Sequence, residues 1–285
     1  MSNQSGALPF QFFSLRVLRT RRLTPSMLRV TLGGEDLKAF VSGGRDQRFK
    51  LFLPHPGQEE PVVPSESGPD WFLRWREMDP TTRAVMRSYT VRHQRRTPRQ
   101  ELDVDFALHG DEGPASRWAQ RAEAGDRVTL LGPVEEDNGG VDFRPPEGTD
   151  LVLLTGDETA LPAIAAALEW LPADTRVRAW IQVPRADDIQ DLTTAADAEI
   201  TWVVADAQPP GRDGLLEALR GADIPADATP YAWIAGEAGS VRAQRRHLVN
   251  ERGVDRRAIT FTGYWRRGAT EEQLVEEAVS TAKQG

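Results

Sequence analysis

In the first half of the chain, apolar residues recur at every second position in short runs: Phe12–Thr20, Met27–Leu32, Arg48–Leu53, Arg87–His93, Glu101–Leu108 and Arg127–Leu131. That period turns one face of a strand toward a core and the other toward water. Gly and Pro punctuate the runs, so the pattern predicts an antiparallel barrel or sandwich. One helical interruption, Trp71–Arg76, sets Trp71 and Trp75 one turn apart and is read as a packed helix face. The second half changes rhythm. Continuous apolar runs (Leu151–Leu154, Val177–Val183, Ile200–Val204, Tyr231–Ala235, Ile259–Phe261) alternate with helical stretches near Leu161–Leu171, Leu215–Leu219 and Val241–Glu251. Such alternation is the mark of a parallel sheet covered by helices on both faces. Between the halves, Glu135–Gly140 and Arg144–Gly148 are polar and rich in Gly and Pro. The expected division is a β domain over 1–137, a protease-sensitive linker over 138–148, and an α/β domain with a C-terminal helix over 149–285.

Composition narrows the classes. With 285 residues the chain is long enough for two domains of ordinary size, and 39% hydrophobic against 27% charged residues is a globular balance. No cysteine is present, which removes disulfides, thiolate catalysis and cysteine-ligated iron–sulfur clusters. A net charge of -8 without a basic, aromatic-interleaved stripe speaks against nucleic acid. No apolar run approaches a membrane span and no signal-peptide pattern opens the chain, so membrane insertion is not expected and a cytoplasmic location is. The four histidines, His55, His93, His109 and His247, have no metal-ligand spacing, so no protein-bound metal is expected. A G-x-S-x-G elbow and a phosphate loop ending in Gly-Lys-Ser/Thr are both absent.

Two motifs carry chemistry in the β half. Arg87-Ser88-Tyr89-Thr90-Val91-Arg92 places cations, a phenol and hydroxyls on one strand, with Arg87, Tyr89 and Val91 on one face and Ser88, Thr90 and Arg92 on the other. Guanidinium suits phosphate, a phenol suits stacking on a flat heterocycle, and a hydroxyl can bond a ring nitrogen. Leu108-His109-Gly110-Asp111-Glu112-Gly113-Pro114-Ala115-Ser116-Arg117-Trp118-Ala119 then runs from a strand through a Gly-rich turn into a helix. Backbone N–H groups at such a start, with the Ser116 hydroxyl, suit a pyrophosphate.

Together with two later motifs, Thr155-Gly156-Asp157-Glu158-Thr159-Ala160-Leu161-Pro162-Ala163 and Gly263-Tyr264-Trp265-Arg266-Arg267-Gly268, these resemble the siderophore-interacting proteins. That family comprises FAD-dependent ferric-siderophore reductases within the ferredoxin-reductase-like superfamily. The resemblance covers roughly Phe10 to Gln284. It implies a β + α/β architecture: an N-terminal antiparallel FAD-binding β-barrel followed by a parallel α/β NAD(P)H-binding domain. It implies FAD contacts at Arg87, Ser88, Tyr89, Thr90, Val91, Arg92, Asp105, Leu108, His109, Gly113, Ala115, Ser116 and Trp118. NADPH or NADH is implied as electron donor, with contacts at Gly156, Asp157, Glu158, Thr159, Pro162, Arg185, Gly236, Glu237 and Ala238. A ferric siderophore is the implied substrate, held by Lys50, Arg117 and Arg266. Arg245 and Arg246 are read as a solvated helix face. No catalytic side chain beyond the flavin is required, and a monomer is expected.

The choice of donor stays open, because Gln182, Arg185, Asp187 and Asp188 near the end of the second parallel strand offer both a phosphate partner and ribose partners. Trp265 either stacks on a ring or fills a domain interface. Rival readings are a related flavin oxidoreductase with another acceptor, and a protein that carries a ferric chelate without redox turnover.

Overall fold

The structure is a computed structural model that describes residues 9–108, 113–209, 211–225, 227–269 and 273. It divides into two compact units, Met1–Asp142 and Phe143–Gly285. The C-terminal helix expected from the sequence, and His109, lie outside the described residues.

The first unit is built on strands β1 (Phe10–Thr24), β2 (Met27–Gly33), β3 (Arg48–Leu53), β4 (Val85–Thr90), β5 (His93–Arg95), β6 (Glu101–Ala107) and β7 (Arg127–Pro133). They form one sheet in the order β4-β3-β7-β1-β2-β6-β5, antiparallel at every described pairing. β4 and β5 occupy opposite edges, yet only Val91 and Arg92 separate them in the chain. From Thr90 to His93 the chain spans three residue steps, at most about 11 Å, so the sheet must curl until its edges come close. Val91 N–H donates to Gln47 O at one edge, and Arg92 N–H to Asp103 O at the other, both at 2.9 Å. The single strand expected over Arg87–His93 is therefore two strands, broken where the chain crosses the seam.

Inside the curl, Phe13, Leu15, Val17, Val30, Leu32, Leu51, Leu102, Val104, Phe106, Val128 and Leu130 form a continuous core. Helix α1 (Trp71–Glu77) buries Trp75, whose indole N–H donates to Ala84 O at 3.1 Å, while the Trp71 ring meets Phe12 and Phe52 edge-on. That is the packed face its spacing predicts. Helix α2 (Pro114–Arg121) lays Ala115 and Ala119 on the core.

The second unit is a five-stranded parallel sheet of β8 (Leu151–Gly156), β9 (Arg176–Val183), β10 (Asp197–Val204), β11 (Pro230–Glu237) and β12 (Ile259–Trp265), in the order β10-β9-β8-β11-β12. Helices α3 (Leu161–Trp170), α4 (Gly214–Arg220) and α5 (Ala238–Asn250) complete it. α3 is buried from Leu161 to Leu168, which explains why its sequence is apolar all round. The strand order reverses between β8 and β11, and in open α/β sheets the ligand crevice lies beyond the carboxyl ends of the strands at such a reversal.

The segment 138–148 is not an exposed tether along its whole length. Asn138 is buried and exchanges amide hydrogen bonds with Gln47, at 2.9 and 3.0 Å, and Val141 and Phe143 are buried as well. Gly139 is exposed within this stretch, and continuous exposure sets in only around Arg144. A polar, Gly-rich composition concealed this because a paired amide satisfies its own polarity.

Candidate functional site

In the first unit the candidate residues gather on β4, its neighbour β3 and the start of α2. β4 is an edge strand paired only with β3, in a register that sets Lys50 opposite Ser88 and Leu51 opposite Arg87. Lys50 Nζ donates to Ser88 Oγ at 2.7 Å, and Arg87 Nη1 to Met86 O at 2.8 Å. The Tyr89 ring packs on Phe106 at 4.3 Å between centroids, and Phe106 packs on Trp118 at 5.8 Å. Tyr89 and Trp118 are thus fixed from beneath by one buried phenyl ring, a rigid aromatic support. Thr90 and Val91 are buried, Val91 in the core cluster, and Leu108 packs against the same cluster.

Helix α2 opens with Pro114 behind an N-cap glycine, Gly113, which has no side chain of its own to cap the first turn. An end of this kind accepts an anion. Ser116 is buried in that first turn, Ala115 packs inward, and Arg117 is exposed.

Asp105 and Arg92 belong to a wider charged layer on the sheet face opposite the core. β6 alternates Glu101, Asp103 and Asp105 with the core residues Leu102, Val104 and Phe106. Arg29 forks onto Asp105 at 2.6 and 2.7 Å, with Arg92 at 3.9 Å. Arg95 reaches both Glu101 and Asp103, and Arg19 forks onto Glu101. Burial alone would push the Asp103 carboxyl up, but hydrogen bonds from Arg95, His93 and Thr31 hold it well below the usual carboxylate range. The Arg19 hydrogen bond, reinforced by Arg95, likewise brings Glu101 down to about 2. The sequence signal that could have revealed this layer was the alternation Glu101-Leu102-Asp103-Val104-Asp105-Phe106, which faces arginines on β1, β2 and β5.

In the second unit, the donor-side candidates lie beyond the carboxyl ends of β8 and β11. Gly156 and Ala235 are direct partners across these strands, as are Gly236 and Gly263 across β11 and β12. A Cβ on Gly156 would lie 2.5 Å from Ala160 Cβ, and Gly236 has φ of +132° with Asp157 Oδ2 2.5 Å from where its Cβ would be. Glycine is required at both places, by close packing at the first and by backbone conformation at the second. Asp157 is buried: Oδ1 accepts from Thr159 N and Thr159 Oγ1, and Oδ2 accepts from Glu237 N and Trp265 Nε1. Glu237 caps α5 through Gly239 N at 2.6 Å and Ser240 N at 2.9 Å, with Ala238 opening that helix. The α5 start is therefore satisfied by the protein itself. Pro162 is buried in the first turn of α3.

Thr155 and Gln244 are both buried, and the Thr155 hydroxyl donates to Gln244 Oε1 at 2.6 Å while Gln244 Nε2 donates to Ser240 Oγ at 2.9 Å. This tie between β8 and α5 has no local sequence signature. Glu158 is half-buried beside this point, and burial, with the nearby charges of Asp157 and Asp188, pushes its carboxyl up to about 7. Asp188 is buried and its carboxylate accepts from Arg185 N at 3.3 Å, closing its own turn, whereas Arg185 is exposed, 3.8 Å from Asp206.

Of the three basic residues, Lys50 and Arg117 belong to the first unit and Arg266 follows β12 in the second. The Arg245 guanidinium lies over the Phe261 ring at 4.5 Å, so it covers apolar surface rather than standing in solvent. Among the described residues, no cluster of His, Cys, Asp or Glu could hold a metal ion, and no helix is long and apolar enough to cross a membrane.

Known proteins agree with this division. Residues 16–137 match the siderophore-interacting FAD-binding domain and residues 149–268 match the siderophore-interacting protein family. The chain is 35% identical to the ferric vibriobactin reductase ViuB of Vibrio cholerae, over 92% of each chain. It is 33% identical to the NADPH-dependent ferric-chelate reductase of Escherichia coli, over 90% of this chain and 93% of that one. The crystal structure of the siderophore-interacting protein SipS from Aeromonas hydrophila superimposes with a TM-score of 0.76 at 33% identity, covering 96% of this chain and 98% of that one. A curled antiparallel sheet followed by a parallel sheet with helices is the ferredoxin-reductase-like architecture, and this chain belongs to the siderophore-interacting protein family.

Proposed function

We propose that this chain is an NAD(P)H-dependent, FAD-containing reductase of ferric siderophores that releases iron as Fe(II) in the cytoplasm. The observation that carries the reading is the donor set of the first unit: the Gly113-Pro114 start of α2 beside Ser116, and the Arg87-Ser88-Tyr89-Thr90 edge strand braced on Phe106. These residues fit FAD: N–H groups and cations for the pyrophosphate, hydroxyls for the ring heteroatoms, and a fixed aromatic surface for the ring itself. Names of the relatives point the same way, since one reduces ferric vibriobactin and another a ferric chelate with NADPH.

In this reading Arg87, Gly113, Ala115 and Ser116 hold the pyrophosphate, and Tyr89, Thr90 and Trp118 orient the flavin ring. When bound, FAD supplies the redox chemistry linking a hydride donor to ferric iron. The nicotinamide enters beyond the carboxyl ends of β8 and β11, where the strand order reverses. Each unit offers positive charge for an anionic chelate, Lys50 and Arg117 in the first and Arg266 in the second, in a chain whose net charge is -8 and which would otherwise repel it. Ferrous iron is held weakly by hard oxygen ligands, so reduction loosens the chelate. No general acid or base is required of the protein.

The test is anaerobic reduction of the FAD-loaded protein by NADPH and NADH in turn, followed by a panel of ferric chelates and a ferrous-iron trap. Bleaching of the flavin bands and their return on chelate addition, with trapped Fe(II), is the expected result. A protein that stays colourless after added FAD yet binds ferric chelates would replace this reading with a carrier. A flavin that reoxidises only with quinone or free flavin would replace it with a reductase of another acceptor.

A further inference from the structure

The sequence puts Asp157 among the contacts of the nicotinamide donor, but its carboxylate is already engaged. An ionised carboxylate has about four acceptor positions. Here Thr159 N (3.0 Å) and Thr159 Oγ1 share one oxygen, while Glu237 N and Trp265 Nε1 share the other, each at 2.8 Å. Asp157 is 4% exposed. A ribose or amide group could bond it only by displacing one of these partners.

The four donors come from three places. Thr159 lies in the turn between β8 and α3, Glu237 ends β11, and Trp265 ends β12. β8, β11 and β12 are adjacent in the sheet, so one buried carboxylate joins three consecutive strand ends at the ligand-binding edge. Gly236 shows how close the fit is: its φ of +132° and the 2.5 Å approach of Asp157 Oδ2 leave no room for a side chain. The chain after Trp265 is drawn in by the same group of residues, since Arg267 N–H donates to Glu237 Oε1 at 3.4 Å. Arg266 sits between these two attachments.

We infer that Asp157 is a positioning residue, not a donor contact: it holds the Trp265 indole and thereby fixes the Arg266 segment to the nicotinamide loop, so that the donor and chelate sides of this unit are set by one carboxylate. The assignment of sides rests on the function proposed above, while the pin itself rests on geometry alone. It also gives Trp265 a role, since its indole N–H is committed to Asp157 and its ring is held in one orientation.

The test reads the pin first and turnover second. In the full-length, cofactor-free protein labelled with 15N-tryptophan, the Trp265 indole signal is assigned by its loss in Trp265→Phe. Its N–H should exchange with solvent about tenfold faster or more in Asp157→Ala, because a charge-assisted hydrogen bond of about 1.5–3 kcal/mol is removed. Asp157→Asn, which keeps one acceptor oxygen, should restore part of the protection, and Arg266→Ala should leave it unchanged. In the FAD-loaded enzyme, Asp157→Ala should raise KM for both NAD(P)H and the ferric chelate, and Trp265→Phe added to it should give less than the sum of the two single effects.

An unchanged Trp265 signal in a folded Asp157→Ala protein overturns the inference. So does a rise in KM for the donor alone with strictly additive Trp265→Phe, which would make Asp157 a direct ligand contact. If Asp157→Ala does not fold, Asp157→Asn with and without Trp265→Phe decides the same points. A parent protein without reductase activity would defeat the proposed function, yet the exchange result would still stand.

Discussion

The two units fasten neighbouring strands by opposite means. In the first, β1, β2, β5 and β6 are fastened by full charges, with Arg19, Arg29 and Arg95 on Glu101, Asp103 and Asp105. In the second, β8, β11 and β12 are fastened at their ends by one carboxylate and neutral N–H and O–H donors. A charged layer tolerates an open sheet face, because the ion pairs satisfy one another where water reaches only partly. The difference teaches that the first unit's integrity is tied to carboxylate ionisation, whereas the geometry of the second is tied to the shape of a few backbone turns.

The largest expected effect tests the charged layer. Asp103→Ala leaves Arg95 and Thr31 facing a buried gap and should destabilise the first unit by about 3–5 kcal/mol. Because Asp103 titrates lower in the folded state than unfolded, its contribution is present above the unfolded value and is lost as pH falls through the acid range. Asp103→Asn should therefore cost somewhat more at pH 7 than at pH 3, as measured by chemical denaturation, because the loss begins near the unfolded carboxylate value and is complete only well below pH 3. An equal cost at both pH values would break the comparison.

Next comes the cofactor strand. Arg87→Ala should weaken FAD binding by about 1.5–3 kcal/mol, read by titration of the cofactor-free protein, if its guanidinium makes a charge-assisted contact. Unchanged affinity would remove Arg87 from the site.

A smaller effect belongs to the second unit. Glu158 has its carboxyl raised to about 7, so the folded protein binds a proton more tightly there than the unfolded chain does. This group's contribution to stability must fall as pH rises from about 4.5 to 7, the reverse of Asp103. Glu158→Gln should raise Tm by a few degrees at pH 8 and hardly change it at pH 4. A shift of the same size at both values would separate Glu158 from its acidic neighbours.

The smallest and most salt-dependent effect is that of the basic residues. Neutral variants of Lys50, Arg117 and Arg266 should raise KM for a ferric chelate mainly at low ionic strength, since exposed charges are screened over about 10 Å at 0.1 M. Flavin reduction by NAD(P)H should not follow. A parallel fall in both rates would move the chelate site elsewhere.

Much of this was legible before any fold was seen. Period-two alternation located the strands of the first unit, and apolar runs located the parallel strands of the second, most plainly the buried β8 and β11, because burial on one face or two is written directly into residue type. The strand end at Thr90 was not legible, since the break there comes from the two sheet edges meeting, a demand no local sequence expresses. Asn138 misled for a related reason: its polarity is satisfied by Gln47, 91 residues away. Trp265 stayed undecided between stacking and filling until a third partner, Asp157, came within hydrogen-bond distance across 108 residues.

The sequence by itself determined the two-unit plan, the β-then-α/β order, the motif-bearing segments and the family they resemble, because these depend on local periodicity and on short runs of chemically committed residues. Only the tertiary structure decided how those residues are used: that Glu237 caps a helix, that Asp188 closes its own turn, that Asp105 is gripped by Arg29, and that Asp157 ties three strand ends together. Each of these carboxylates looks alike in a string of letters. What separates them is which N–H or guanidinium the folded chain brings within about 3 Å, a distance set by packing over the whole sheet rather than by any neighbour in sequence.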